Sequence, residues 1–123
     1  MNSNNNLIGV FYLEGQDITD DGSLMPHVGK GKPVLLMVQA NYCGHCVNAK
    51  PEFQKMVSAL PNVVIATIQS DGSESDKLAS KKLGSKKGQG VPCYMGFDKN
   101  GNHVKNHQGG RDVAALSAFA NQL

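Results

Sequence analysis

The chain has 123 residues, with 12 Lys and Arg against 10 Asp and Glu for a formal charge of +2. That length holds one hydrophobic core and not two, so a single domain over residues 1–123 is expected, with the Asn-rich segment 1–6 disordered. An apolar fraction of 40% and a charged fraction of 18% exclude the disordered and fibrous classes, and the mild charge carries no basic footprint for nucleic acid. No apolar run reaches the length of a signal h-region or a membrane span, and Ala120-Asn121-Gln122-Leu123 is no retrieval signal. A cytoplasmic protein with no membrane partner is therefore expected.

Leu7–Leu13 reads as a first strand, and the turn-rich stretch 14–32, with Asp20-Asp21-Gly22-Ser23 and Gly29-Lys30-Gly31, carries no clear element. Val34-Leu35-Leu36-Met37-Val38 is an unbroken apolar run of strand length, suited to a strand covered on both faces. Between Val47 and Leu60, Ala49, Phe53, Met56, Val57 and Leu60 recur at helical spacing, and Pro61 ends the run. Pro51 inside that pattern predicts a kink, because it lacks a backbone donor. The β-branched run from Asn62 to Ile68 predicts a second buried strand, which completes a βαβ unit and makes the sheet at least partly parallel. Asp76–Leu83, stopped by Gly84, predicts a short helix. Pro92–Phe97 and His103–His107 flank Asp98-Lys99-Asn100-Gly101-Asn102, whose Asn-Gly pair predicts an antiparallel hairpin. Asp112 caps a last helix with Val113, Leu116, Phe119, Ala120 and Leu123 as its buried stripe. The predicted order is β, β, α, β, α, β, β, α.

Three cysteines are an odd number, and Cys43 and Cys46 stand three positions apart, which suits redox chemistry better than a stapled disulfide scaffold. Cys43-Gly44-His45-Cys46 opens the predicted helix, where two thiols one turn apart can close and open a disulfide without refolding. A Cys43 thiolate there meets unpaired amide donors and the positive end of the helix dipole, which favours the reactive form. Charge on His45 stabilises that thiolate further and makes the disulfide a better oxidant. Two other readings use the same residues. A lone Cys-x-x-Cys is half of a zinc site, to which His45, His103, His107 and Cys93 offer ligand types, although no second closely spaced pair exists and no metal is expected. Inert burial of both thiols is the other, opposed by the exposed, electropositive character of a helix start.

The run Ala40-Asn41-Tyr42-Cys43-Gly44-His45-Cys46, with Pro51 five residues on, resembles the active-site segment of the thioredoxin superfamily. Its Cys-Gly-His-Cys tetrad resembles that of protein disulfide isomerase domains. Gly90-Val91-Pro92 resembles the family's cis-proline loop and Phe97–Gly101 its hairpin, so the likeness spans roughly Leu7–Leu123. It implies an α/β thioredoxin fold, a central mixed sheet flanked by helices. It also implies a cis Val91-Pro92 peptide, with Val91 offering backbone hydrogen bonds to an extended substrate strand. Tyr42, where thioredoxins carry Trp, would be an aromatic wall of the substrate site. Gly109-Gly110-Arg111 resembles the loop of isomerase domains whose arginine swings towards the resolving cysteine. Arg111 is thus a candidate tuner of Cys46, the alternative being a solvated cation near a helix start.

Two further positions depart from the family's pattern. Six residues before Cys43, where the family carries a buried acid, stands Met37. The proton acceptor for Cys46 is then missing, so resolution of the mixed disulfide is expected to be slower or to rely on Arg111 and water. Cys93 follows the expected cis-proline where thioredoxins carry Thr, and reads either as a buried small hydrophobe or as a third thiol open to glutathionylation or dimerisation. Lys81, Lys82, Lys86 and Lys87 precede the same loop as solvated surface or as a steering patch for acidic clients.

Together these residues predict a thiol–disulfide oxidoreductase acting on protein or peptide disulfides through Cys43 and Cys46. Gly44, His45 and Arg111 complete the catalytic set, and no cofactor is expected beyond the redox-active disulfide. A separate reductase or glutathione would exchange electrons with it, and the protein is expected to be a monomer. His45 ranks an oxidase or isomerase above a general protein disulfide reductase. A peptide-binding or zinc-binding module without catalysis is the alternative of another class.

Overall fold

In the computed structural model, which describes residues 7–88 and 90–123, all six residues of strand Val34–Gln39 are buried. This is what an unbroken apolar run covered on both faces requires. In chain order the elements are β1 (Phe11–Tyr12), α1 (Pro26–Gly29), β2 (Val34–Gln39), α2 (Gly44–Ala59), β3 (Val64–Gln69), α3 (Glu74–Leu83), β4 (Cys93–Phe97), β5 (His103–His107) and α4 (Val113–Ala120). The expected disorder of residues 1–6 falls outside the described residues.

The sheet order is β1-β3-β2-β4-β5. β2 lies parallel to β3, with Met37 opposite Thr67, and antiparallel to β4, with Met37 opposite Tyr94. The sheet is therefore mixed, and β2 is its centre. Because side chains alternate along a strand, Leu35, Met37, Ile65 and Tyr94 face α2 and α4, meeting Phe53, Met56, Leu116 and Phe119. Leu36, Val38, Ile68, Met95 and Phe97 face the other way, onto Ala79 and Leu83 of α3 and Val28 of α1. Gly96 lets α4 close on β4, since a Cβ there would stand 2.3 Å from Leu123 and 2.9 Å from Phe119.

Helix α2 runs through Pro51 without interruption. The Asp112 carboxylate caps α4 by accepting the Ala115 N–H at 2.8 Å, as its sequence position predicts. The hairpin forms at Asp98–Asn102, with the Asp98 N–H donating to the Asn102 carbonyl at 2.9 Å and Gly101 at φ +84°.

Several boundaries differ from expectation. Only Phe11–Tyr12 of the expected strand Leu7–Leu13 pairs with β3. Gly9 takes φ +79°, which breaks extended pairing, and the Ile8 N–H donates to the Gln54 side chain on α2 instead of to a strand. Helix α3 starts two residues before Asp76, because Ser73 and Asp76 exchange hydrogen bonds in a capping box. The last helix stops at Ala120 rather than Leu123, although Leu123 still packs in the core beside it. The stretch 14–32 is ordered by tertiary contacts: Ile18 bridges Leu24, the Leu24 N–H donates to the Gly101 carbonyl at 2.8 Å, and Lys82 donates to the carbonyls of Gly15 and Ile18.

Candidate active site

Cys43 is the N-cap of α2, in extended backbone conformation, and its sulfur accepts the Cys46 N–H at 3.1 Å. An N-cap acceptor answers one of the donors left open at a helix start, here with sulfur in place of the usual oxygen. Cys43 Sγ–H also donates to the Val91 carbonyl at 3.4 Å. The Val91-Pro92 peptide is cis, and Val91 packs on Ala40, Cys43 and Cys46. The two thiols differ in access: Cys43 is 8% exposed and Cys46 is sealed at 0%. All three cysteines are free thiols.

Burial pushes the Cys46 thiol up to about 12, and its hydrogen bond with Cys43 adds to the rise. A backbone hydrogen bond with Ala40 and the charge of Arg111 act in the opposite direction but do not overcome it. Arg111 is exposed on the loop before α4. There it lines a cleft of about 280 Å³ with Val91, Pro92, Tyr94 and His107. Arg111 is a solvent-exposed cation beside the start of α4 whose charge acts to lower the Cys46 thiol, so both readings of it stand. Gly44 and His45 are exposed on the first turn of α2, and Tyr42, next to Cys43 in the chain, is 78% exposed.

Met37, where the family's acid would stand, is fully buried. Around it the polar groups are neutral: Thr67 Oγ1 donates to the Met37 carbonyl at 2.7 Å and accepts from Gln39 Nε2 at 2.7 Å. Cys93 pairs with Val38 and points to the α3 face of the sheet, where its sulfur accepts the Gly88 N–H at 3.3 Å. At 9% exposure it also borders the cleft of Val91, Pro92 and Arg111, so both readings of Cys93 stand. Lys82 and Lys87 are engaged locally, Lys87 with Ser80 Oγ at 3.0 Å, which thins the expected steering patch. Of the other ligand types offered for zinc, His103 makes a tilted ring contact with Phe97 and His107 Nε2 meets the Gly110 carbonyl. Among the described residues no three His, Cys, Asp or Glu side chains gather round a common point.

Sequence reasoning missed the brace beneath the site. Both carboxylate oxygens of Asp71, just after β3, accept the Asn41 N–H, at 2.9 and 3.0 Å. Gln69 Nε2 donates to Asp71 and to the Asn41 side chain. Burial acts to raise the Asp71 carboxyl, but hydrogen bonds from Gln69 and from the amides of Asn41 and Tyr42 outweigh it, so it lies below its ordinary 3.8. A depressed carboxyl stabilises the fold above 3.8, and that contribution is lost as the pH falls through the lower folded value. Protection of the Asn41 and Tyr42 amides, measured against the intrinsic exchange rate at each pH, is thus expected to fall in acid, and Asp71→Ala should show the same low protection at neutral pH. Equal protection in the variant would remove the brace.

The thioredoxin family model matches residues 18–122. This chain belongs to the thioredoxin family. It is 36% identical over 100 residues to a thioredoxin-like protein, 453L, of Invertebrate iridescent virus 6, covering 72% of this chain and 70% of that one. It is 35% identical over 109 residues to protein disulfide-isomerase erp38 of Neurospora crassa, covering 86% of this chain and 28% of that protein, so it spans little more than a quarter of the isomerase. Spinach chloroplast thioredoxin f superposes with a TM-score of 0.70 at 20% identity, over 94% of this chain and 88% of that one. The thioredoxin fold and its paired cysteines make this family member a thiol–disulfide oxidoreductase.

Proposed function

We propose that this thioredoxin-family protein forms and rearranges disulfides in protein or peptide clients, as an oxidase or isomerase. The observation that carries the reading is the asymmetry of the pair: Cys43 at the helix cap and the rim of the site, Cys46 sealed behind it with its thiol held up to about 12. Cys43 thiolate attacks a client disulfide, expels one client sulfur as thiolate and forms a mixed disulfide. Cys46 gives up its proton and attacks Cys43 Sγ, releasing the second client sulfur, so two electrons pass to the client. The reverse sequence oxidises a client dithiol. A mixed disulfide that resolves slowly has time to be displaced by another client thiol, which is isomerisation.

Gly44 leaves the first turn of α2 open beside the sulfur, with nothing within 4 Å of where a Cβ would stand. His45, when protonated, adds positive charge on the same turn, which favours the reduced form and raises the potential. The Val91-Pro92 backbone and Tyr42 would receive the client strand, with no cofactor beyond the disulfide and with glutathione or a separate reductase as electron partner. Similarity to disulfide isomerases supports this direction.

The test is the equilibrium reduction potential of the pair in glutathione buffers. About −180 mV is expected, the isomerase value, and about −270 mV would make the protein a thioredoxin-like reductase instead.

A further inference from the structure

The cleft of about 280 Å³ that holds Val91 and Arg111 does not end at the cysteines' rim. It shares His107 and Gln108 with a second cleft of about 430 Å³ between β5 and α4, so the two form one trough. One end is the Val91 carbonyl, 3.4 Å from Cys43 Sγ. At the other, Phe119 lines the floor and Lys105 stands over it, its Nζ 5.9 Å from the ring centroid. His107 meets the same ring at 5.0 Å. Lys105 and His107 thus share the face of β5 turned to α4, about 7 Å apart along the strand, and β5 is the edge of the sheet.

The trough carries charge of one sign. Arg111 and Lys105 line it, and among the described residues no Asp or Glu does. Neither cation forms a salt bridge among the described residues; Lys105 donates instead to the neutral Gln122 side chain. The acids that reach this end of α4 are spent on its amides: Asp112 accepts the Ala115 N–H at 2.8 Å and Glu52 the Val113 N–H at 3.1 Å. A concave surface lined by one sign of charge beside apolar walls focuses the field and concentrates ligands of the opposite sign.

We propose that this trough docks the chain flanking the client cysteine and selects acidic clients. An extended segment whose sulfur meets Cys43 continues over His107, with apolar side chains on Phe119 and carboxylates at Arg111 and Lys105. The inference rests on the thiol–disulfide reading above and names the class of client within it. The occupant is a polypeptide, because the sulfur attacked by Cys43 and the anionic groups must arrive on one molecule, and the trough is continuous with the place where that sulfur docks. The exchange is the one already described: Cys43 thiolate bonds to one client sulfur and the other leaves as thiolate with the electron pair. In this role Arg111 and Lys105 act on association, through charge, and Lys105 touches no reacting atom.

The probes are symmetric peptide disulfides whose cysteine is flanked on both sides by Glu, by Gln or by Lys, with bis(2-hydroxyethyl) disulfide as a substrate too small to enter the trough. Each rate with the reduced protein is divided by the rate with dithiothreitol, which removes the peptide's own reactivity. The Glu peptide is expected to react about tenfold faster than the Lys peptide at low salt, the lower end of what a focused field does. The ratio should fall towards one as salt shortens the screening length to about 3 Å at 1 M. Lys105 is exposed, so Lys105→Glu should abolish the preference and Lys105→Gln reduce it, each with the rate on the small disulfide unchanged. Lys105→Gln carries the test if the charge reversal disturbs the fold. Wild-type protein that treats the Glu and Lys peptides alike, or favours Lys, overturns the acidic trough, and normal exchange with the small disulfide then leaves the redox reading standing. A Glu preference untouched in both Lys105 variants also overturns it. Wild-type protein that exchanges with none of these disulfides overturns the redox reading as well.

Discussion

Cys43→Ser reduces disulfide exchange by on the order of 10³-fold or more, the scale seen when an enzyme loses its nucleophile. Cys46→Ser has a different outcome. The serine at position 46 cannot expel the client, so a mixed disulfide on Cys43 accumulates and is visible by mass spectrometry under non-reducing conditions. The contrast follows from the geometry: Cys43 Sγ caps α2 at the rim of the site, where a client sulfur can reach it, whereas Cys46 is fully buried and can reach only Cys43. The roles would be reversed if the trapped adduct formed on Cys46 in the Cys43→Ser protein, and such an adduct would overturn the assignment. Insulin reduction as the activity readout and adduct mass as the structural readout make the two variants a single experiment.

Phe53→Ala is expected to destabilise the fold by about 3–5 kcal/mol, a large part of the 5–15 kcal/mol available to a typical domain. Phe53 is fully buried on the inner face of α2, against Tyr94 and among Leu35, Met37 and Leu116. Removing the ring leaves a cavity between the helix and the sheet that the flanking β2 and β4 cannot collapse to fill, because both are fixed by strand pairing. Urea denaturation gives the measurement, and a loss under about 1 kcal/mol would mean that α2 is not anchored through this residue. The consequence extends to function, since α2 carries both cysteines at its first turn and its tilt sets where Cys43 meets the Val91 carbonyl.

The parts of the site that were legible in the sequence are those whose chemistry depends on local spacing. Cys43 and Cys46, three apart at the start of a helical pattern, needed no tertiary information to be read as a redox pair. Asp112 as a cap and Asn100-Gly101 as a hairpin signal were likewise local, and both stand where their spacing placed them. Val91-Pro92 and Arg111 came from resemblance rather than from the residues alone, since a lone X-Pro and a lone arginine carry no signal of their own. Asp71 was invisible: an Asp between Ser70 and Gly72 reads as a turn residue, and its grip on Asn41 joins positions 30 apart.

What the sequence determined by itself was a partly parallel sheet with helices, the order of its major elements and the reactive cysteines, because each is set by periodicity or spacing over a few residues. The tertiary structure decided the rest. It shortened the first strand at Gly9, whose neighbour Ile8 bonds to Gln54 of α2, 46 positions away. It ordered 14–32 by docking Leu24 on Gly101, and it turned Cys93 and Tyr94, adjacent in sequence, to opposite faces of the sheet. That last division sends one residue into an apolar layer and sets the other beside Met37 and the cysteine helix. The physical reason is common to all three: long-range pairing fixes which backbone donors are already satisfied and which face of a strand looks at which helix.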